Sequence, residues 1–312
     1  VVVTRRLPEG GTDPLVTAGH EVLLNEEDVP FTKPQLCDAA RDADALLCVL
    51  TDRIDDEVLA AGGDRLRVVA TVAVGYDNID VAAASARGIA VCNTPGVLDE
   101  TTADLAFLLI LSAARLASDA ERDLRAGSWS GWGITQYLGV DAHEAILGVV
   151  GFGRIGQAVA RRGAGFGMEV LHHARTPTGV PGYVADLDQL LAQSDIVSLH
   201  VPLTDETRHL INARRLALMK PTAVLVNTAR GPVIDEEALA QALEDGTIFA
   251  AGLDVYEAEP TVSPRLLAAP RAVLTPHIGS ASRVTRTRMA HLACDGIVTV
   301  LAGQRPTNLV AR

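Results

Sequence analysis

Three apolar segments in the second half of the chain each run out into side chains that can do chemistry. Val224-Leu225-Val226-Asn227-Thr228-Ala229-Arg230-Gly231 leads to a guanidinium. Leu253-Asp254-Val255-Tyr256-Glu257-Ala258-Glu259-Pro260 leads to a cluster of carboxylates, and Val273-Leu274-Thr275-Pro276-His277-Ile278-Gly279 to an imidazole. If each run is a strand of one parallel sheet, the three groups arrive at the same edge, where open α/β sheets bind their ligands. For reduction of a carbonyl the set is chemically complete. A cation holds a carboxylate, an imidazole titrating near neutrality moves the proton, and a carboxylate stabilises the imidazolium.

A partner for that chemistry is encoded earlier. Ile146-Leu147-Gly148-Val149-Val150 runs into Gly151-Phe152-Gly153-Arg154-Ile155-Gly156, a helical pattern follows to Phe166, and another strand-like run spans Met168 to His173. Strand, G-x-G-x-x-G turn and helix bring backbone N–H groups up to a pyrophosphate. Gly151 is expected to make the tight turn, Gly153 to let the backbone approach the phosphates, and Gly156 to let the helix pack against its strand. The motif alone also fits a glycine-rich turn in an unrelated α/β protein; its flanking elements point to a dinucleotide.

The second strand of this unit ends Leu171-His172-His173-Ala174-Arg175-Thr176-Pro177. NAD enzymes place an acid about 20 residues past the glycine motif to bind the ribose 2′-hydroxyl. Ala174 stands there instead, so a 2′-phosphate would meet no repulsion, and Arg175 and Thr176 could bind it. NADP is therefore expected over NAD, with relaxed preference as the alternative. Adjacent strand residues face opposite sides of a sheet, so His172 and His173 are not expected to share a metal, and no metal site is predicted.

Positioning these groups requires strands and helices in alternation. Strand-like runs at Val1–Thr4, Glu21–Leu24, Ala45–Leu50, Val68–Ala73 and Ile89–Cys92 alternate with helical patterns near Asp13–Ala18, Lys33–Asp42, Asp55–Ala61 and Ile79–Arg87. From Ala145 onward come six strand candidates, ending at Ala272–Thr275, with helices at Arg154–Phe166, Leu187–Gln193, Ala213–Met219 and Asp235–Leu243. Between the two sets, Asp99–Arg125 reads as one long helix apolar on nearly every side, and Ser280–Ala302 reads as a helix returning to the first domain. The fold class is α/β: two Rossmann-like, doubly wound parallel-sheet domains with a cleft between them. One comprises residues 1–95 plus 282–312, and the dinucleotide-binding one residues 96–281.

Composition narrows the partners. The 312 residues are 48% hydrophobic and 21% charged, a balance with ample core for two domains. A net charge of −12 without a basic stripe argues against nucleic acid. The longest apolar run, Leu105 to Leu111, is too short for a bilayer, and Val1-Val2-Val3 opens the chain without a basic segment and cleavage site. No membrane partner and a cytoplasmic location are expected. Cys37, Cys48, Cys92 and Cys294 form no C-x-x-C pair and read as small buried hydrophobes in a reducing compartment. Trp129 and Trp132, on a glycine-rich loop, read either as a local cap on the core or as part of a subunit interface or active-site wall.

Seven ordered segments carry a resemblance over nearly the whole chain: Val74-Gly75-Tyr76-Asp77-Asn78-Ile79-Asp80, Asn93-Thr94-Pro95-Gly96, the glycine motif, His200-Val201-Pro202-Leu203, Asn227-Thr228-Ala229-Arg230-Gly231, Asp254-Val255 with Glu259-Pro260, and Thr275-Pro276-His277-Ile278-Gly279-Ser280. The chain resembles the D-isomer-specific 2-hydroxyacid dehydrogenases, especially their glyoxylate/hydroxypyruvate reductase branch. The resemblance implies that Arg230, Glu259 and His277 are the catalytic trio. Arg230 would grip the substrate, His277 would donate the proton as hydride arrives, and Glu259 would favour the protonated imidazole. Leu50, Thr51, Val74 and Gly75 would complete the carboxylate site from the first domain, with domain closure excluding water. Arg154, Ile155, His200, Pro202, Thr207, Thr228, Asp254 and Gly279 would join Gly151, Gly153, Gly156, Ala174, Arg175 and Thr176 around the cofactor.

Some of these have plainer readings. His200 would cap its strand, Thr207 and Thr228 would be structural, and Asp254 would hold its own loop together. His20, His143, His209 and His291 match no motif and read as surface or packing residues. The family implies a homodimer through residues 97–140. Phosphonate, formate and phosphoglycerate dehydrogenases share the scaffold, although the chain ends at Arg312 and leaves no room after His277 for the regulatory domain usual in the last. A dinucleotide-sensing corepressor is the alternative from another class.

Overall fold

The computed structural model describes residues 1–311. The chain divides into two compact units, Val1–Leu98 with Ser280–Arg312, and Asp99–Gly279. In chain order the first unit opens with β1 (Val2–Val3), α1 (Asp13–Thr17), β2 (Leu23–Leu24), α2 (Lys33–Arg41), β3 (Ala45–Cys48), α3 (Asp56–Ala61), β4 (Val68–Thr71), α4 (Val81–Ala86) and β5 (Ala90–Cys92). The second unit holds α5 (Asp99–Ala114), α6 (Ala117–Arg125), β6 (Ile146–Val150), α7 (Arg154–Gly165), β7 (Glu169–His173), α8 (Leu187–Gln193), β8 (Ile196–Leu199) and α9 (Ala213–Leu216). It continues with β9 (Val224–Asn227), a short 3₁₀ turn, α10 (Glu236–Glu244), β10 (Ala250–Leu253), α11 (Pro264–Ala268) and β11 (Ala272–Leu274). The chain then returns to the first unit with α12 (Arg283–Leu301) and β12 (Leu309–Ala311).

The first unit has a six-stranded sheet in the order β12-β5-β4-β3-β1-β2, parallel except at the β12–β5 edge. Strand residues alternate between two cores, as a sheet covered on both faces requires. Leu46, Cys48, Val69 and Val91 pack with Leu36, Val58 and Leu59. Leu47, Val68, Ala70 and Cys92 pack with Leu15 and with Ala293, Cys294 and Ile297 of α12.

The second unit repeats the plan in the order β11-β10-β9-β8-β6-β7, parallel throughout. Val197, Leu199, Leu225 and Leu253 face a core closed by Leu190, Leu191, Leu239 and Leu243, whereas Leu147, Val149, Val224 and Val226 face Ala106, Leu109 and Ile110 of α5 and Ala158 and Val159 of α7. Asp235 caps α10 by accepting from Ala238 N, as its sequence position predicts.

Several elements differ from the sequence expectation. The helix expected over Asp99–Arg125 is two helices bent by 70°. The Ala114 carbonyl accepts from Val140 N at 2.9 Å, and Leu116 takes a left-handed conformation with φ 53°. Gly139 permits this, since a Cβ there would lie 2.1 Å from the Ala114 carbonyl oxygen. No sequence signal marks β12. A side chain just before it ties it to the strand it pairs with, Asn308 Nδ2 donating to Asn93 O at 2.8 Å. Helix α11 is also unannounced. The tryptophans do not cap the core: Trp129 is 49% and Trp132 80% exposed. The four cysteines are free thiols, three buried and Cys37 partly exposed. Among the described residues no single helix is long and apolar enough to cross a membrane.

Candidate active site

Each glycine of the fingerprint meets a distinct steric demand. Gly151 sits at φ +93°, and a Cβ there would lie 2.5 Å from the His200 carbonyl oxygen. Gly156 opens α7 so close to the turn that a Cβ would come within 2.1 Å of the Gly151 oxygen. Around Gly153 a Cβ would meet nothing within 4 Å. The crowded glycines set the turn, and the uncrowded one leaves its backbone open beside the N-terminus of a 12-residue helix, an anion-binding arrangement. Arg154 and Ile155 follow it in the first turn of α7, with Arg154 exposed. Just after β9 of the same sheet, Thr228 Oγ1 is buried and has no hydrogen-bond partner. An open phosphate cradle and an unsatisfied hydroxyl after another strand of that sheet fit a dinucleotide.

The ionisable groups stand on the next three strand ends. Asn227 ends β9, donates from Nδ2 to the Arg230 carbonyl at 2.9 Å and accepts from Ala229 N at 2.9 Å, which closes the turn carrying Arg230. Gly231 lets that turn press against the next loop, since a Cβ would lie 1.9 Å from the Tyr256 carbonyl carbon. Glu259 follows in the same loop, its Oε1 accepting from Tyr256 N at 3.0 Å. His277 Nδ1 and Glu259 Oε2 are 2.8 Å apart, and the two side chains are 27% and 29% exposed. Burial alone would raise the Glu259 carboxyl. The His277 hydrogen bond and charge, the Tyr256 N–H and the Arg230 guanidinium outweigh it and hold the group below the ordinary carboxylate range. The pair occupies Nδ1 and leaves Nε2 as the imidazole's second proton-exchanging atom.

His277 itself has φ 53°, a left-handed backbone that a non-glycine residue adopts at a cost. Asp254 holds it there. Its Oδ1 accepts from the Thr275 hydroxyl at 2.6 Å and from Ile278 N at 2.8 Å, its Oδ2 accepts from Gly279 N at 2.7 Å, and its carbonyl accepts from His277 N at 2.9 Å. Burial pushes the Asp254 carboxyl up in spite of these bonds. The structure thus gives Asp254 the loop-holding task, with Gly279 as one of its partners.

The remaining expected residues fall into place unevenly. His200 Nε2 lies 2.8 Å from Ser198 Oγ, and burial lowers its pKa to about 4, so it is a neutral imidazole. Thr207 Oγ1 donates to Pro202 O at 2.7 Å and accepts from Thr204 N at 2.7 Å, tying its own loop beside the exposed Pro202. Ala174 is half-buried, and Arg175 and Thr176 are exposed. His172 and His173 do diverge: His172 Nε2 lies 2.6 Å from Thr178 Oγ1, and His173 Nδ1 lies 3.1 Å from Val184 O. Within the first unit, Leu50 and Thr51 follow β3, and Val74 and Gly75 follow the adjacent β4, so all four share one edge of that sheet.

The groups that hold these turns carry no motif and escape a reading of the sequence. Asn78 Nδ2 donates to Val49 O at 3.2 Å and Asp52 O at 2.9 Å, Asp52 Oδ2 accepts from Val49 N at 2.9 Å, and Asn93 Nδ2 donates to Val74 O at 2.8 Å. An Asn or Asp beside a turn is a usable signal for such a role. His209 also does more than its lack of a motif suggests, since its Nε2 lies 3.1 Å from Glu257 Oε1, two residues before Glu259. No local pattern reveals that contact.

Known proteins share this sequence and fold. Residues 107–279 match the family model for the D-isomer specific 2-hydroxyacid dehydrogenase, NAD binding domain. A glyoxylate reductase of Korarchaeum cryptofilum (strain OPF8) is 48% identical over 320 residues, covering 99% of this chain and 95% of that one. Among solved structures, a protein of Thermus thermophilus has a TM-score of 0.93 and 46% identity, with 99% of each chain covered. An NADPH-dependent glyoxylate/hydroxypyruvate reductase from Sinorhizobium meliloti, in complex with NADP and malonate, has a TM-score of 0.87 and 35% identity over 99% of this chain and 96% of that one. Geometry had left the electron partner general, and similarity along the whole length makes it specific: the chain belongs to the D-isomer-specific 2-hydroxyacid dehydrogenases and is an NAD(P)-dependent oxidoreductase of 2-oxoacids and 2-hydroxyacids.

Proposed function

We propose that the enzyme reduces a small 2-oxoacid, glyoxylate or hydroxypyruvate, to the D-2-hydroxyacid and prefers NADPH. The observation that carries this reading is the 2.8 Å pair of His277 Nδ1 and Glu259 Oε2, which joins the segments after β11 and β10, with Arg230 after the next strand, β9. Arg230 holds the substrate carboxylate and carbonyl oxygen through its planar fork. His277 donates a proton from Nε2 to that oxygen as it gains charge, and Glu259 stabilises the imidazolium before transfer. The bound nicotinamide supplies the hydride. Gly151, Gly153, Gly156 and the first turn of α7 hold the pyrophosphate, and Thr228 offers its free hydroxyl. Leu50, Thr51, Val74 and Gly75, at one edge of the first unit's sheet, are the positions to which the family resemblance assigns carboxylate binding.

NADPH preference is supported by Ala174 in place of an acid, by the exposed Arg175 and Thr176, and by the NADP-bound relative from Sinorhizobium meliloti. A homodimer through residues 97–140 is supported by the exposed Leu108, Leu124, Trp129, Trp132, Ile134 and Leu138 in that stretch. Steady-state kinetics with NADPH and NADH against glyoxylate, hydroxypyruvate and pyruvate, and with NADP⁺ and NAD⁺ against phosphite, test the reading. The expected result is highest kcat/KM for glyoxylate or hydroxypyruvate with NADPH. A preference for phosphite would reassign the substrate, and a preference for NADH would reassign the cofactor.

A further inference from the structure

After β7 the chain leaves the sheet at Ala174 and returns at Gly182, where His172 N donates to Gly182 O at 2.8 Å and Val184 N donates to His172 O at 2.8 Å. The excursion between them, residues 174–181, carries Arg175 and Thr176 and is built largely of exposed residues. A long polar side chain on a free loop binds a phosphate poorly, because ordering it consumes much of the contact energy. The excursion therefore needs an anchor, and the structure contains one.

His172 is fully buried, and its ring stacks on Phe152 of the glycine motif with centroids 3.7 Å apart and planes 21° from parallel. Its Nε2 lies 2.6 Å from the hydroxyl of Thr178, in the middle of the excursion, and that hydroxyl also accepts from Val180 N at 3.2 Å. Its Nδ1 is buried with no hydrogen-bond partner. Leaving a buried imidazole nitrogen unsatisfied carries its full desolvation cost, and an apolar ring would fill the stack without that cost. A histidine that is worse for the core than phenylalanine, and is joined to one loop hydroxyl, calls for a reason outside core packing.

We infer that His172 is a specificity-determining positioning residue: through Thr178 it fixes the 174–181 excursion against the glycine turn, and so sets the affinity for the 2′-phosphate carried by NADP and absent from NAD. This rests on the proposed NADPH preference. The oxidised dinucleotides share every other group, so an anchor that acts only on the excursion separates them.

Calorimetric titration of NADP⁺ and NAD⁺ into the wild type, Thr178→Val, His172→Phe and the double variant reads this directly, without turnover. Each single variant should weaken NADP⁺ binding about tenfold while NAD⁺ binding changes less than about twofold, and the double variant should be no worse than either single one. His172→Phe should melt at or above the wild-type temperature, since it removes an unsatisfied nitrogen. That outcome separates positioning from loss of fold. If the wild type favours NADP⁺ and both single variants keep its NADP⁺ to NAD⁺ ratio, this inference falls and the cofactor reading stands. A wild type that favours NAD⁺ overturns the cofactor reading and the inference with it.

Discussion

The two units use one scaffold in two ways. Each is a six-stranded sheet whose sequence-ordered strands fan out from an early strand near one edge, β1 and β6 respectively. In the second unit, the strand ends carry the glycine turn, Arg230, Asp254 and His277. In the first unit the equivalent turns after β3 and β4 present backbone, and their polar side chains are spent inward: Asn78 and Asp52 hold the 49–52 turn, and Asn93 holds Val74. The difference teaches that a doubly wound sheet supplies an edge, while the residue types at that edge decide whether it presents ionisable side chains or ordered backbone.

That contrast predicts different failures for the two edges. The largest effect should come from the chemical edge. His277→Ala should lower kcat by about 10²- to 10⁴-fold, the range for losing a general acid, while fluorescence titration gives an unchanged dinucleotide affinity. Near-normal kcat would remove His277 from the chemistry and dissolve the contrast. Arg230→Lys should reduce kcat/KM by about 10²-fold, since an ammonium cannot reproduce a bidentate fork. Substrate saturation curves would show whether the loss lies in binding or in turnover.

Gly156→Ala tests the packing beneath that edge. With a Cβ placed 2.1 Å from the Gly151 oxygen, the helix must shift, and destabilisation of about 1–3 kcal/mol is expected in denaturant titrations together with weaker dinucleotide binding. An unchanged midpoint would mean that the turn and helix are not as tightly coupled as the geometry requires. The backbone-shaping edge should fail more quietly. Asn78→Ala takes the side-chain donor from the Asp52 carbonyl and leaves the Val49 carbonyl only the Asp52 N–H, and it should raise KM for the 2-oxoacid about 5- to 10-fold with kcat within about twofold. A fall in kcat with KM unaltered would contradict the assignment of that edge to substrate binding.

The last expected effect is confined to acid pH and concerns His200. Burial lowers its pKa from 6.5 to about 4, so the unfolded chain takes up this proton first as pH falls. The stability that neutral His200 contributes is present above 6.5 and is lost progressively between 6.5 and about 4. Wild-type denaturation midpoints should therefore drop more steeply across that window than those of His200→Gln. Parallel profiles would show that the imidazole is not held neutral.

Much of this is legible along the chain. The glycine motif is local: turn, approach and helix packing are read from six consecutive residues, and Gly151 and Gly156 stand where a Cβ would clash while Gly153 has open space around it. The strands of the second unit announce themselves because fully buried parallel strands are short, continuous apolar runs. Arg230, Glu259 and His277 can be nominated because each follows such a run. Two of the misreadings share a cause, a distant segment intervening. The helix expected over Asp99–Arg125 breaks because Val140 takes the Ala114 carbonyl, and β12 exists because Asn308 and Asn93 tie it to β5.

By itself, then, the sequence determined the fold class, the dinucleotide turn and the identity of the ionisable groups, since these depend on residue type and short-range periodicity. Tertiary structure decided what each group is paired with. That Nδ1 of His277 faces Glu259, that Asp254 serves the His277 loop, and that His172 reaches Thr178 while stacking on Phe152 are contacts between separate segments. Hydrogen bonds act over about 3 Å. Only the folded chain brings such segments that close.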